Sequence, residues 1–239
     1  EWPTTDFERT SVDFGDIISG GPPKDGIPAI DNPRFLPVAE IDDIADTEPV
    51  MGLIVNGEAK AYPLRILMWH EIVNDEIGGV PVTVTFCPLC NTTIVFDRRV
   101  DGRVLDFGTT GKLRFSDLIM YDRQTETWWQ QFLGEAIIGE LMGTLLEILP
   151  SRVESFANFK KRAPEGTVLV PARFGRRSYG RNPYVGYDSS RQPFLYRGSL
   201  PSDIAPLARV VTVAIRGTKE AWSLDLLRDK RNIEIGEGI

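Results

Sequence analysis

Trp69-His70-Glu71-Ile72-Val73-Asn74-Asp75, Val82-Thr83-Val84-Thr85-Phe86, Cys87-Pro88-Leu89-Cys90 and Asn91-Thr92-Thr93-Ile94-Val95-Phe96-Asp97-Arg98 follow one another between residues 69 and 98. The runs from Val82 to Phe86 and from Thr92 to Asp97 are rich in β-branched and aromatic residues, so a strand enters Cys87 and another leaves Cys90. Cys-Pro-Leu-Cys therefore occupies a short strand-to-strand connection, not the first turn of a long helix. The same stretch holds the single His and both Cys of the 239 residues. All imidazole and thiol chemistry of the chain is confined to it.

Immediately upstream, Leu64 to Asp75 reads as helix with an apolar stripe at Leu64, Leu67, Met68 and Ile72, and a strand through Ile72 and Val73 is the alternative. On the helical reading His70 and Asn74 share one face, and Glu71 and Asp75 the neighbouring one. Pro49 to Pro63 reads as strand, Asn56-Gly57 turn, strand, because that dipeptide supplies the two positive φ angles of a tight hairpin. Ala39 to Asp43 is a short helical turn. Residues 1–23 form an extended arm, and the proline-rich run through Pro33 excludes a long helix there. The arm is expected to lie across a sheet edge.

Downstream, Val100-Asp101-Gly102-Arg103 is a tight connection. Gly108-Thr109-Thr110-Gly111-Lys112 lacks the spacing of a phosphate loop, which argues against nucleotide binding. Ser116 to Arg123 and Thr125 to Gln131 combine Asp117, Tyr121, Asp122 and Arg123 with Trp128-Trp129, either as a polar pocket wall or as a hydrogen-bonded turn over core tryptophans. Ala136 to Leu149 reads as two short strands about a glycine turn. Ser155 to Arg162 is a helix ended before Pro164, and Thr167 to Val170 is a strand. Arg173 to Arg197 is loop-rich, with Tyr179, Tyr184, Tyr187 and Tyr196 in a packed lid. Arg209 to Leu224 is a hairpin, and Asp225 to Lys230 is a terminal turn or a short helix. The expected fold is α+β and predominantly β: residues 24–239 form a single domain of short antiparallel strands with a few short helices.

Lys and Arg number 27 against 34 Asp and Glu, a formal net charge of -7, with no basic stripe. A nucleic-acid partner is not expected. No apolar run is long enough to cross a bilayer as a helix, and Glu1-Trp2-Pro3 is neither a signal peptide nor an initiator methionine, so a processed or truncated N-terminus is expected. Serine hydrolase chemistry fits poorly, since His70 would be the sole base and no G-x-S-x-G elbow is present. Nothing in the spacing of Glu71, Asp75, Asp117 and Asp122 reports the carboxylate separation that glycoside hydrolysis needs.

Asp25-Gly26-Ile27-Pro28-Ala29-Ile30-Asp31-Asn32-Pro33-Arg34-Phe35, Ala61-Tyr62-Pro63 with Trp69 to Asp75, Cys87-Pro88-Leu89-Cys90, Ser116-Asp117-Leu118, Met120-Tyr121-Asp122-Arg123 and Pro183-Tyr184 with Gly186-Tyr187 together resemble the bacterial and archaeal family called domain of unknown function 3179. The resemblance runs from about residue 24 to 200. It implies that His70, Cys87 and Cys90 belong to one family motif and that the protein is periplasmic or extracellular, with a membrane anchor in the full-length precursor as one form. It brings no established reaction. At Thr109-Thr110-Gly111 the chain departs from the expected Ser-Gly pair, so no serine hydroxyl role is carried onto it.

Two thiolates three residues apart can hold one metal ion, with His70 returning as a third ligand. That set of soft and borderline donors suggests a copper ion, with a zinc ion as the alternative, and the expected function is an extracytoplasmic Cys2His metal protein, including a copper-dependent oxidoreductase. Glu71, Asn74 and Asp75 are its candidate orienting groups, and Asp117, Tyr121, Asp122 and Arg123 its pocket. The partner would be a small molecule or a metal donor. Thiol–disulfide redox chemistry is the rival reading, weakened by the lack of a helix N-terminus to lower a thiol pKa. A non-enzymatic copper or zinc carrier and a structural disulfide are the remaining ones.

Overall fold

The computed structural model describes residues 1–171, 177–215 and 218–233. Arg173, where the loop-rich lid is expected to begin, and Gly217, in the expected last hairpin, lie outside these. The described chain divides into two compact units, residues 1–183 and 184–239.

In the first unit the elements are, in chain order, β1 (Ile17–Ser19), β2 (Arg34–Pro37), β3 (Pro49–Val55), β4 (Glu58–Pro63), α1 (Leu64–His70), β5 (Ile72–Ile77), β6 (Val80–Cys87), β7 (Thr92–Asp97), β8 (Arg99–Val100) and β9 (Arg103–Val104). There follow β10 (Phe107–Arg114), β11 (Asp117–Asp122), β12 (Trp128–Gln130), β13 (Glu135–Ile138), β14 (Ser151–Ser155), α2 (Phe156–Arg162) and β15 (Thr167–Val170). The second unit contains the antiparallel pair β16 (Val210–Ile215) and β17 (Thr218–Ser223), then α3 (Leu224–Lys230), whose first turn is capped by the Ser223 hydroxyl. The fold is mostly β with few helices. No helix among the described residues is long and apolar enough to cross a membrane.

Three sheets shape the first unit, in the orders β1-β10-β11-β12-β13, β14-β3-β4-β15-β2 and β5-β6-β7. The three-stranded sheet is buried on both faces, and its alternating side chains divide between two cores. Val73, Val82, Val84 and Phe86 pack with Met51, Tyr62 and Leu67, while Ile72, Cys87 and Phe96 pack on the other side with Phe107, Leu118, Met120 and Trp129. Two-residue turns at Asn56-Gly57, Gly78-Gly79 and Asp101-Gly102, all at positive φ, set the register of their hairpins. β1, within residues 1–23, pairs with β10 and forms the edge of its sheet, and the Gly20 and Asp25 amides donate to the Gly111 and Thr109 carbonyls. Any side chain at Gly111, which has φ +69°, would strike the Pro22 carbonyl.

Two elements differ from the sequence reading. The helix stops at His70, because Glu71 takes a left-handed conformation at φ 59° and the β-branched Ile72-Val73 pair starts β5. Beyond β13, Leu145 and Ile148 make only isolated bridges, so the second strand of the 136–149 region does not form. Glycines at 139 and 143, both at positive φ, turn the chain instead.

Candidate functional site

β6 delivers Cys87 into a four-residue turn, Asn91 takes φ 48°, and β7 leaves from Thr92. Both cysteines are free, and their sulfurs lie 3.0 Å apart. Cys87 is only 1% exposed, whereas Cys90 is partly exposed. The turn between β10 and β11 faces them. Its two central residues, Phe115 and Ser116, have φ 53° and 64°, the left-handed pair that a tight hairpin requires, here without Asn or Gly. The Ser116 carbonyl lies 3.7 Å from the Cys87 sulfur and 3.5 Å from that of Cys90. Asp117 follows. Its Oδ1 accepts from Cys90 at 3.4 Å, and its Oδ2 accepts the Phe132 amide at 3.0 Å.

Burial raises the Asp117 pKa to about 6, although hydrogen bonds from Phe132, Cys90 and Gln130 pull the other way. The Cys90 thiol is pushed up by its hydrogen bond to Cys87, then by burial and by the neighbouring Cys87 and Asp117. No cation is among the groups that set it. The side-chain donors of Cys87, Cys90 and Asp117 all lie within 4.8 Å of one another, and among the described residues they are the one such group of His, Cys, Asp and Glu.

His70 is placed elsewhere. Its Nδ1 sits 2.8 Å from the Pro28 carbonyl, which can only accept, so Nδ1 carries a proton. Burial lowers the His70 pKa, which leaves Nε2 without a proton to receive the Tyr179 hydroxyl at 2.6 Å. Both ring nitrogens are therefore occupied by protein partners.

The remaining candidates separate because β5 is a strand. Asn74 donates to Asp31 and to the Phe107 carbonyl, and accepts the Phe107 amide at 3.0 Å, so its amide joins β5 to β10. Asp75 points to the other face and binds Lys60 Nζ at 3.0 Å and the Tyr62 hydroxyl at 2.7 Å. Asp122, fully buried, holds the Thr125 amide and hydroxyl and the Trp129 indole N–H, which makes it a turn and core residue. Tyr121 donates to Asp25 Oδ2, and Arg123 pairs with Asp31 at 2.8 Å. These last two sit at the Phe107 end of the β10–β11 hairpin, opposite its Ser116 turn.

Glu71 is 8% exposed, and burial alone raises its carboxyl pKa to about 8. A carboxyl raised in the folded state contributes stability that is complete below its ordinary pKa near 4.5 and is lost as pH rises through about 8. Glu71→Gln is therefore expected to gain on the wild type with rising pH, by on the order of 5 kcal/mol at pH 9 relative to pH 4. Urea unfolding at both pH values measures this, and a wild-type-to-variant difference that stays constant with pH contradicts it.

Comparison with known proteins adds one finding. A family model described as protein of unknown function (DUF3179) matches residues 24–239, and the chain belongs to that family. Neither a curated protein nor a solved structure gives a significant match.

Proposed function

We propose that the protein is a thiol–disulfide oxidoreductase whose redox centre is Cys87 and Cys90, with Asp117 as the proton acceptor for Cys90. The observation that carries this reading is the 3.0 Å separation of two free sulfurs beside a buried carboxylate. A disulfide bond needs roughly 1 Å of further approach. Asp117 takes the Cys90 proton, the Cys90 sulfur attacks one sulfur of R–S–S–R′, and R′–S⁻ leaves with that proton. Cys87 then attacks the Cys90 sulfur, R–S⁻ leaves with the Cys87 proton, and two electrons have passed from the dithiol to the substrate. Strongly oxidising dithiols owe their potential to a stabilised thiolate. The hydrogen bond from Cys87, burial and the neighbouring Asp117 give the Cys90 thiolate no such stabilisation, which favours the reducing direction for the proposed couple.

A metal centre is the second reading, supported by the grouping of Cys87, Cys90 and Asp117. A carboxylate in place of the expected His70 makes the donor set harder, which favours a zinc ion over a copper ion. Two sulfurs bound to one tetrahedral zinc ion stand roughly 3.8 Å apart, so this site would have to open. An extracytoplasmic setting, drawn from the family resemblance, belongs to the proposal in either case.

The test is a redox titration of anaerobically purified protein, with alkylation and mass measurement of the thiol state, alongside metal analysis. The expected result is a reversible two-electron couple at about -230 mV or lower. Thiols that stay reduced under excess oxidised glutathione and hydroxyethyl disulfide overturn the redox reading. Stoichiometric zinc or copper lost on Asp117→Ala would establish the metal reading in its place.

A further inference from the structure

We infer that the disulfide reduced by this centre lies in a polypeptide with apolar residues beside its cystine, received on an exposed apolar rim around Cys90. The inference rests on the redox reading. Phe115, Phe132 and Leu133 are 47%, 49% and 46% exposed, and Leu145 is 67% exposed. Each is tied to the centre through the backbone. Phe115 precedes Ser116, whose carbonyl faces both sulfurs. The Phe132 amide donates to the carboxylate whose other oxygen meets Cys90. Leu133 follows directly, and Leu145 is brought alongside by the Glu135–Leu145 bridge and the Leu146 amide bond to the Gly134 carbonyl.

Four large apolar side chains exposed on segments that meet at one centre offer a place for an apolar ligand to dock. Phe115 is a notable one, since a left-handed turn position favours Asn or Gly and an exposed position favours a polar residue. Charge decides the occupant. A glutathione-type disulfide carries carboxylates and needs cations to hold them. Arg114, the basic group at this turn, is already engaged: its guanidinium binds Gln130 at 2.8 Å and Asp16 at 3.4 Å and covers one side of the Phe115 ring. The ionisable group touching the sulfurs is the carboxyl of Asp117, and the whole chain has net charge -7. An apolar rim with an acidic centre suits a neutral, apolar stretch of chain. The exchange itself is balanced as above: the dithiol becomes the Cys87–Cys90 disulfide, and the peptide cystine becomes two thiols.

The experiment follows oxidation of the pre-reduced protein by three disulfides: small, neutral hydroxyethyl disulfide; oxidised glutathione; and an uncharged cystine-bridged peptide flanked by Phe and Leu. The peptide is expected to react about tenfold or more faster than glutathione. Phe115→Asn with Phe132→Ser is expected to slow the peptide about tenfold and leave hydroxyethyl disulfide within about twofold. Leu133→Ser alone should produce a smaller loss of the same selectivity, and it serves if the double variant does not fold. Equal rates with glutathione and peptide, an unchanged peptide rate in the variants, or equal slowing of all three disulfides would overturn the inference. Failure of wild-type protein to react even with hydroxyethyl disulfide would instead remove the redox reading on which it stands.

Discussion

Replacing Cys90 by Ser is expected to slow disulfide exchange on the order of 10³-fold, whereas Cys87→Ser should complete the first step and stop there. The asymmetry follows from position. Cys90 is the partly exposed sulfur and the one hydrogen-bonded to Asp117, so it meets the incoming disulfide and has a place for its proton. Cys87 is 1% exposed and reaches a partner only through Cys90. In Cys87→Ser the mixed disulfide on Cys90 has no second thiol to resolve it, so the protein should accumulate one covalent adduct. Intact mass after exposure to hydroxyethyl disulfide reads this directly. The assignment fails if Cys90→Ser forms an adduct on Cys87 as fast as Cys87→Ser forms one on Cys90.

The second large effect is on stability. Asp75→Ala is expected to lower the unfolding free energy by about 3–5 kcal/mol, because it leaves a buried cation without its main partner. Lys60 is 8% exposed, with Nζ between the Asp75 carboxylate, the Glu76 carbonyl and the face of the Phe35 ring. Tyr62 also loses the acceptor for its hydroxyl, whose pKa burial and Asp75 hold well above the usual phenol range. Glu58 at 3.5 Å offers partial compensation and sets the lower end of the range. Adding Lys60→Met should recover much of the loss, since the uncompensated charge goes with it. Urea unfolding of both variants provides the measurement, and the rate of thiol exchange should not change in folded protein. A loss below about 1 kcal/mol, the scale of an exposed ion pair, would mean that the pair is not the buried support described.

The strand order around the cysteines was readable because hairpin chemistry is local. Asn56-Gly57, Gly78-Gly79 and Asp101-Gly102 announce their turns, and β-branched runs on either side announce the strands. The Ser116 turn gives no such signal, since Phe115 and Ser116 are poor candidates for positive φ. The approach of that turn to the cysteines was hidden with it. Cys87 and Cys90 were evident from composition, and Asp117 was named as a pocket group, but its contact with Cys90 depends on how two sheets pack. Helical spacing from Leu64 to Asp75 would set Asn74 and Asp75 beside His70 and Glu71. One change of backbone state at Glu71 replaced a period of 3.6 by a period of 2 and sent Asn74 and Asp75 to opposite faces. His70 found its partners in Pro28 and Tyr179, 42 and 109 residues away, a separation that no local pattern encodes.

The Asn74 amide has a kinetic consequence. By holding both the N–H and the C=O of Phe107, it acts as one residue of a strand pairing between β5 and β10. Separating β5 from Phe107 would strip two buried backbone groups at once, so local opening at that point is disfavoured. One sheet carries Cys87, and the other carries the turn with Ser116 and Asp117. The tie lies at the Phe107 end of the β10–β11 hairpin, opposite the Ser116 turn, so it anchors the base of the hairpin and leaves the fit of Asp117 against the sulfurs to the contacts of the turn itself.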